Sequence, residues 1–347
     1  MTPPRLSAIA TAVPPHVIRQ CDVVEMAARI FDRKRSEVER LLPVYENAGI
    51  ATRYSCVPLE WYAGEHSWAE RNAIYVEKAV ELLADAATRC LEQAGRDFSD
   101  VDALVAVSTT GISTPSLDAL LLERLPFRRD VMRLPVFGLG CAGGVLGLAR
   151  AASLARSQPG SCVLFLVVEL CALTFRKRDQ SKSNIIATAL FGDGAAAALL
   201  ESDSDGPSIG AWGEYTWPDS LDVMGWNITD DGLGVLFSRD IPTLVRTQFR
   251  EATDRFLCSR GLDLKDIDAF VCHPGGAKVI TALEEAFGVP EGTLDSARTV
   301  LREYGNMSAA TVMFVLERML ARRQHRYLMT ALGPGFTAGF LTLEGSA

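Results

Sequence analysis

The sequence predicts an α/β protein built from two copies of one folding unit, and three observations support this. A helical pattern at residues 75–95 is followed by an acidic turn and an apolar strand at 102–108. The same succession returns at 245–261 and 268–273. Continuous apolar runs such as 162–168 lack polar alternation, which is typical of strands buried on both faces of a sheet.

The two helix–strand units align at an offset of 166 residues. Eight aligned identities are Arg89 with Arg255, Leu91 with Leu257, Gly95 with Gly261, Asp97 with Asp263, Asp100 with Asp266, Asp102 with Asp268, Ala103 with Ala269, and Val105 with Val271. At this offset residues 140–142 fall on 306–308, so we expect these two turns to be equivalent. A repeat of this size is itself a domain, and the predicted halves are residues 1–205 and 206–347.

Composition excludes several classes of function. The 347 residues carry a net charge of −8 without a concentrated basic stripe, which argues against nucleic acid as a partner. The sequence has no apolar run long enough for a membrane span and no recognisable signal peptide, so we expect a cytoplasmic protein. Its eight cysteines form no Cys-x-x-Cys pair and there are only four histidines, so no metal site is expected.

Cys141 is the cysteine whose surroundings best suit a nucleophile. Glycines flank it in Gly140–Gly144, and an apolar helical pattern follows to Leu154. A sharp turn into a helix N-terminus favours thiolate over thiol and lets a substrate approach the sulfur. The alternative is a buried cysteine where small residues pack, and the local sequence does not choose between the two.

His273 and Asn306 are the candidate partners of this cysteine. His273 ends an apolar strand and enters a glycine-rich loop, where open α/β sheets place their sites, although a structural histidine fits equally well. Asn306 could polarise a thioester carbonyl or could simply cap its own helix. Both lie in the half of the chain opposite Cys141, which favours one site shared by the two halves.

Four motifs together resemble the type III polyketide synthases, the chalcone-synthase-like branch of the thiolase fold. They are Gly140–Gly144, His273–Gly276, Tyr304–Ser308 and Gly333–Gly335, and they occur in this order. The resemblance implies a thiolase-like α/β fold with five layers, α/β/α/β/α, from two duplicated halves. It also implies a homodimer that uses an acyl-CoA starter and malonyl-CoA, with no metal or other cofactor.

The resemblance implies roles for individual residues. Cys141 would take up the starter acyl group and hold the growing chain, while His273 and Asn306 would stabilise the thiolate, promote decarboxylation of the malonyl group and bind the enolate. The implied substrate-binding residues are Thr110, Cys171, Thr174, Trp226, Val235, Ser308 and the loop Gly333, Pro334 and Gly335, which would shape the cyclisation cavity.

Three departures from the plant enzymes shift the expected substrate. Val235 stands where those enzymes carry an aromatic gatekeeper, Cys171 replaces a threonine, and Trp226 replaces a glycine. Residues 174–184 are similar to bacterial enzymes that form alkylpyrones or alkylresorcinols, so we expect a fatty acyl-CoA starter and a product of that kind.

Two other functions compete with this prediction. An initiating β-ketoacyl-acyl-carrier-protein synthase shares the fold and a Cys/His/Asn set but performs a single condensation. An acyl-binding scaffold without catalysis is the other alternative, and the presence of all three candidate residues argues against it.

Overall fold

The computed structural model describes residues 3–30 and 43–345, and within these residues nine strands form one mixed sheet. The strands are β1 (Arg5–Ala12), β2 (His16–Arg19), β3 (Thr52–Ser55), β4 (Ala103–Val107), β5 (Met132–Val136), β6 (Val163–Leu170), β7 (Asp193–Glu201), β8 (Ser208–Thr216), β9 (Met224–Thr229), β10 (Gly232–Phe237), β11 (Ala269–Cys272), β12 (Arg326–Gly333) and β13 (Thr337–Glu344).

Helices cover the outer faces of this sheet, and two further helices lie between its two halves. They are α1 (Gln20–Ile30), α2 (Trp68–Ala94), α3 (Leu117–Arg124), α4 (Gly143–Ser157), α5 (Lys182–Leu190), α6 (Ile241–Leu244), α7 (Arg250–Cys258), α8 (Ala277–Phe287), α9 (Asp295–Tyr304) and α10 (Thr311–Leu320). A π-helical turn at Val245–Phe249 joins α6 to α7. In the described part of the chain, no helix is both long and apolar enough to cross a membrane.

The strand order shows the duplication directly. The sheet runs β11-β12-β13-β8-β1-β7-β6-β4-β5. In the first half β7 lies antiparallel between β1 and β6, and β6 is parallel to β4. In the second half β13 lies antiparallel between β8 and β12, and β12 is parallel to β11. The predicted boundary at residues 205 and 206 falls between β7 and β8 and stays a prediction.

The predicted offset of 166 residues holds where each outer helix ends. Gly95 follows α2 with φ 64°, and Gly261 follows α7 with φ 71°. Both glycines adopt the left-handed conformation that commonly terminates a helix. Each is followed by a 3-10 turn, Phe98–Asp100 in the first half and Leu264–Asp266 in the second.

The expected equivalence of residues 140–142 with 306–308 is wrong by two residues. The short 3-10 turn before α4 is Gly140–Ala142, and the matching turn before α10 is Ser308–Ala310. Gly140 and Ser308 share an unusual positive φ, 47° and 46°. Counted from the starts of β4 and β11, the second half therefore holds two residues more before its turn than the first half does. At the predicted offset these two connecting stretches share no run of identical residues that would reveal the insertion.

The layers follow from the alternation of side chains along the strands. In β4, Leu104 and Ala106 pack toward α2, while Val105 and Val107 face the cluster that contains α4 and α10. These two helices lie between the halves of the sheet, α2 covers one outer face, and α7 and α8 cover the other. The expected five-layered, thiolase-like arrangement is confirmed.

The N-termini of α4 and α10 pack directly against each other. A Cβ at Gly144 would overlap the carbonyl oxygen of Ala309, and a Cβ at Gly143 would press on the Ala309 methyl group. Only glycine permits this approach. The contact brings together the chain segments that precede the two helices, which hold Cys141 and Asn306.

Candidate active site

One open cavity receives all three predicted catalytic side chains. Cys141, His273 and Asn306 line it, and its volume is about 580 Å³. The three residues come from different places, namely the turn before α4, the end of β11 and the segment before α10. The fold therefore brings together residues that lie up to 165 positions apart in the sequence.

The turn that carries Cys141 depends on its glycine and on the loop at residues 333–335. Gly140 has a positive φ of 47°, and a Cβ there would come within 2.5 Å of the Pro334 ring. A Cβ at Gly333 would lie 2.5 Å from the carbonyl oxygen of Leu139. The Gly-Pro-Gly loop thus packs against the cysteine turn and fixes it from one side.

Burial sets the protonation of the cysteine and the histidine. It raises the pKa of the Cys141 thiol to about 12, and a hydrogen bond with Ser308 opposes this shift. Burial lowers the pKa of His273 to about 3. A thiol and a neutral imidazole therefore share the cavity near pH 7, and we expect a thiolate to form there by transfer of the thiol proton to His273.

The ring of His273 is free to act on a substrate. Neither ring nitrogen has a hydrogen-bond partner among the described residues, although both are buried. The backbone N–H of His273 donates to the Thr330 carbonyl at 2.9 Å and holds the residue at the end of β11. An unpartnered buried donor or acceptor is costly, which is typical of a site whose partner is the substrate.

Asn306 keeps one N–H available after its internal bonds are made. Its Oδ1 accepts from the Ser308 N–H at 2.8 Å, and its Nδ2 donates to the Gly275 carbonyl at 3.2 Å. An amide nitrogen carries two hydrogens, so one remains for a ligand in the cavity. The turn-capping role and the catalytic role considered for this residue are therefore compatible.

The predicted substrate-binding residues divide into separate groups. Ser308 contacts the cysteine sulfur, and the Gly-Pro-Gly loop packs on the cysteine turn. Cys171 lies in a small buried cluster with Ala187 and Phe191, the Cys171 cluster. Trp226 and Val235, which pair across the β9–β10 hairpin, pack against it. Thr174 and Cys171 line a second cavity, described below.

Thr110 belongs to a buried polar network around a carboxylate that the sequence analysis missed. Glu169 is fully buried and accepts from the Thr109 N–H at 3.0 Å and from the Thr110 hydroxyl at 2.8 Å. The Thr109 hydroxyl in turn accepts from the Gly140 N–H at 3.1 Å. Burial raises the pKa of Glu169 to about 7. A glutamate inside the apolar run of β6 was the available signal, because an isolated buried carboxylate is rare.

The fold and this set of side chains define a condensing enzyme of the thiolase-like class. Residues 2–204 match the family described as chalcone and stilbene synthases, N-terminal domain, and residues 213–345 match the C-terminal domain of these enzymes. The chain belongs to the chalcone and stilbene synthase family. It is a type III polyketide synthase, an acyltransferase that forms carbon–carbon bonds by Claisen condensation, and enzymes of this class use malonyl-CoA and acyl-CoA substrates.

Individual relatives agree with this assignment over the whole chain. A Bacillus subtilis relative, named among the chalcone synthases, is 40% identical over 96% of each chain. A 1,3,6,8-tetrahydroxynaphthalene synthase of Streptomyces peucetius is 38% identical, covering 98% of this chain and 92% of its own. The crystal structure of 1,3,6,8-tetrahydroxynaphthalene synthase from Streptomyces coelicolor superimposes with a TM-score of 0.94 at 27% identity, covering 99% of both chains.

We expect His273 to control the reactivity of Cys141. We expect His273→Gln to slow alkylation of Cys141 by iodoacetamide at pH 7 by about a hundredfold, because the base that accepts the thiol proton is lost. Since burial raises the thiol pKa, the thiolate fraction in the variant should grow about tenfold per pH unit from pH 7 to 9. Peptide mass spectrometry measures the rate.

Cys258 serves as the internal control, because it is exposed at the end of α7 and does not line the cavity. Its alkylation rate should be the same in both proteins at each pH. Equal alkylation of Cys141 in the wild type and the variant at pH 7 would show that His273 does not activate the thiol.

Proposed function

We propose that Cys141, His273 and Asn306 carry out an iterative decarboxylative condensation. The Cys141 sulfur attacks the starter thioester, coenzyme A leaves with a proton, and the acyl group is held on sulfur. Malonyl-CoA then loses CO₂, and the N–H groups of His273 and Asn306 stabilise the enolate oxygen. The enolate carbon attacks the acyl thioester and releases the Cys141 thiolate. The observation that carries this proposal is the set of unused polar atoms of His273 and Asn306 in the cavity that also contains Cys141.

The mouth of the cavity suits a coenzyme A ester. Lys182, Arg239 and Lys278 line it, and all three are exposed. Phosphate groups are bound preferentially by lysine and arginine side chains. A local cluster of cations in a chain of net charge −8 therefore favours an anionic carrier at the entrance.

A second cavity supports an aliphatic starter. It is narrow, about 70 Å³, and most of its lining is apolar, chiefly from α1 and from the chain around Cys171, with Arg53 and Ser55 as polar members. The end of β6 before Cys171 is linked to the cysteine turn, because Glu169 accepts from the Thr109 N–H and the Thr109 hydroxyl accepts from the Gly140 N–H. We propose that a fatty acyl chain on Cys141 extends past Cys171, and that cyclisation gives an alkylpyrone or alkylresorcinol.

A second candidate function is the synthesis of tetrahydroxynaphthalene. The Streptomyces peucetius relative that is named for this activity is 38% identical to the chain. The two functions differ in the starter, because a naphthalene product can be assembled from malonyl units alone. An assay with malonyl-CoA as the sole substrate separates them.

The first prediction for this function concerns products and the nucleophile. With malonyl-CoA and a series of fatty acyl-CoA starters, without carrier protein, we expect pyrone or resorcinol products detectable by mass spectrometry. Cys141→Ala should abolish them, because no sulfur remains to hold the chain. Cys90→Ala is the matched control: this cysteine is buried on α2, and the variant should retain most activity.

Other outcomes point elsewhere. If malonyl-CoA alone gives a naphthalene product, the proposed fatty acyl starter is wrong and the second candidate function is supported. Equal loss of activity in the Cys141 and Cys90 variants would contradict the role of Cys141 as nucleophile.

The second prediction concerns starter length. Val235 is partly buried on the side of the β9–β10 hairpin that packs on the Cys171 cluster, whereas Leu236 is 36% exposed on the other side. We expect Val235→Phe to shift the preferred starter to shorter chains by several carbons, because the added ring narrows the passage. Leu236→Phe should leave the profile unchanged. A competition assay with mixed acyl-CoA lengths measures it, and identical profiles for both variants would refute the gatekeeper role.

We also propose that the protein is a cytoplasmic homodimer whose interface lies at the free edge of β5. Four large apolar side chains are exposed there and in the adjoining loops, namely Ile112, Met132, Leu134 and Phe137. β5 is the last strand of the sheet, so its outer backbone groups lack a strand partner among the described residues. A self-complementary apolar edge of this kind suits a second copy of the chain.

The cysteines are free throughout the described residues, which is compatible with the reducing environment of the cytoplasm.

The dimer predicts a mass of twice the 37.6 kDa of one chain in sedimentation equilibrium. Phe137→Glu should shift the protein toward the single-chain mass, because it places a charge in an apolar interface. The control is Val17→Glu, which alters an exposed apolar residue on β2 and should leave the dimer intact. A wild-type protein that sediments at the single-chain mass would overturn the proposal.

A further inference from the structure

Arg53 is a buried arginine that no role described so far explains. It lies on β3, is only 3% exposed, and makes no ion pair with a carboxylate among the described residues. Burial lowers its pKa to about 10, so the guanidinium is still charged at neutral pH. A buried cation requires compensation, and the source of that compensation indicates what the residue does.

Backbone carbonyls at the end of α5 compensate the charge. Nη1 of Arg53 donates to Thr188 at 2.8 Å and to Phe191 at 2.9 Å, and Nη2 donates to Ala189 at 2.8 Å. Nη2 also donates to the side-chain oxygen of Gln20. The last carbonyls of a helix lack partners within it and form the negative end of its dipole, so a cation is favourable there.

The segment that Arg53 holds is also the segment that brackets Asn306. The Asn306 N–H donates to the Leu190 carbonyl at 2.7 Å, and the Gly192 N–H donates to the Asn306 carbonyl at 3.1 Å. The carbonyls of residues 188–191 are thus all occupied, three by Arg53 and one by Asn306. The position of Asn306 depends on a backbone segment that Arg53 fixes.

The same strand also supports the other side of Asn306. The hydroxyl of Thr52 donates to the Glu303 carbonyl at 2.8 Å, and the N–H of Ala51 donates to the Arg302 carbonyl at 2.8 Å. Both acceptors lie in the last turn of α9, directly before Asn306. β3 therefore contacts the chain before Asn306 and, through Arg53, the segment beside it.

We propose that Arg53 is a positioning residue that sets the place of the Asn306 amide for decarboxylation of the malonyl group. The inference rests on the proposed role of Asn306 in that step. Because Cys141 is held by a different set of contacts, around Gly140 and Pro334, Arg53 should matter little for activation of the thiol. A small displacement of a catalytic amide can lower the reaction rate strongly without unfolding the protein around it.

The test separates the two half-reactions. In Arg53→Met we expect the release of CO₂ from malonyl-CoA to fall about tenfold or more in kcat, with KM within about threefold. Alkylation of Cys141 by iodoacetamide should change by less than about threefold. Arg326→Met is the control, because it removes another partly buried arginine, which bonds Glu344 and the Asp266 carbonyl at the far end of β12. It should leave both rates unchanged.

A double-mutant cycle decides whether Arg53 acts through Asn306. In the Asn306→Ala background, Arg53→Met should lower the residual decarboxylation rate by less than about twofold, because the group it positions is absent. An equal fold-loss in both backgrounds would overturn the inference. If Asn306→Ala alone leaves decarboxylation intact, the proposed function of Asn306 fails instead, so the two failures are distinguishable.

Two milder variants keep the proposal testable if Arg53→Met does not fold. Arg53→Lys keeps the charge but presents a single ammonium group that cannot reach all the carbonyls, so decarboxylation should recover only in part. Gln20→Leu removes one partner of Arg53 and one donor to the Ala189 carbonyl, and should lower decarboxylation in the same direction by a smaller factor. Wild-type decarboxylation in both variants would contradict the proposal.

Discussion

The close contact between the N-termini of α4 and α10 is the constraint on which the rest of the molecule depends. Glycine at 143 and 144 lets α4 approach Ala309, in the turn directly before α10, at a distance that a methyl group would prevent. Each helix is preceded by a turn with a positive φ, at Gly140 and at Ser308. The contact fixes the two halves against each other and places Cys141 beside the segment that holds Asn306.

Burial then sets the protonation states of Cys141 and His273. The same exclusion of water that raises the pKa of Cys141 lowers that of His273, so each group alone prefers to be neutral. Two neutral groups are less costly to bury than two charged ones. Backbone contacts around Gly140 and around Asn306 fix the turns on which Cys141 and Asn306 lie.

Much of the site was predictable, and the exceptions have physical causes. Glycines around Cys141 and after His273 indicate sharp turns, and the duplication together with the four motifs then singled out these two residues. The two-residue shift between the turns could not, because helix packing constrains backbone position without requiring sequence identity. Arg53 was missed because it bonds mainly to backbone carbonyls, which leave no pattern in side-chain type. Glu169 left one signal, an acidic residue inside the apolar run of β6.

The sequence by itself determined the duplicated α/β architecture and indicated the three residues that line one cavity, because periodicity, glycine placement, repeated aspartates and short motifs are properties of the chain. Tertiary structure decided which atoms are left without partners, how far burial shifts the pKa of Cys141 and His273, and which distant residues hold Asn306. These depend on contacts between segments separated by more than a hundred residues, such as Arg53 with Phe191, and no local pattern encodes them.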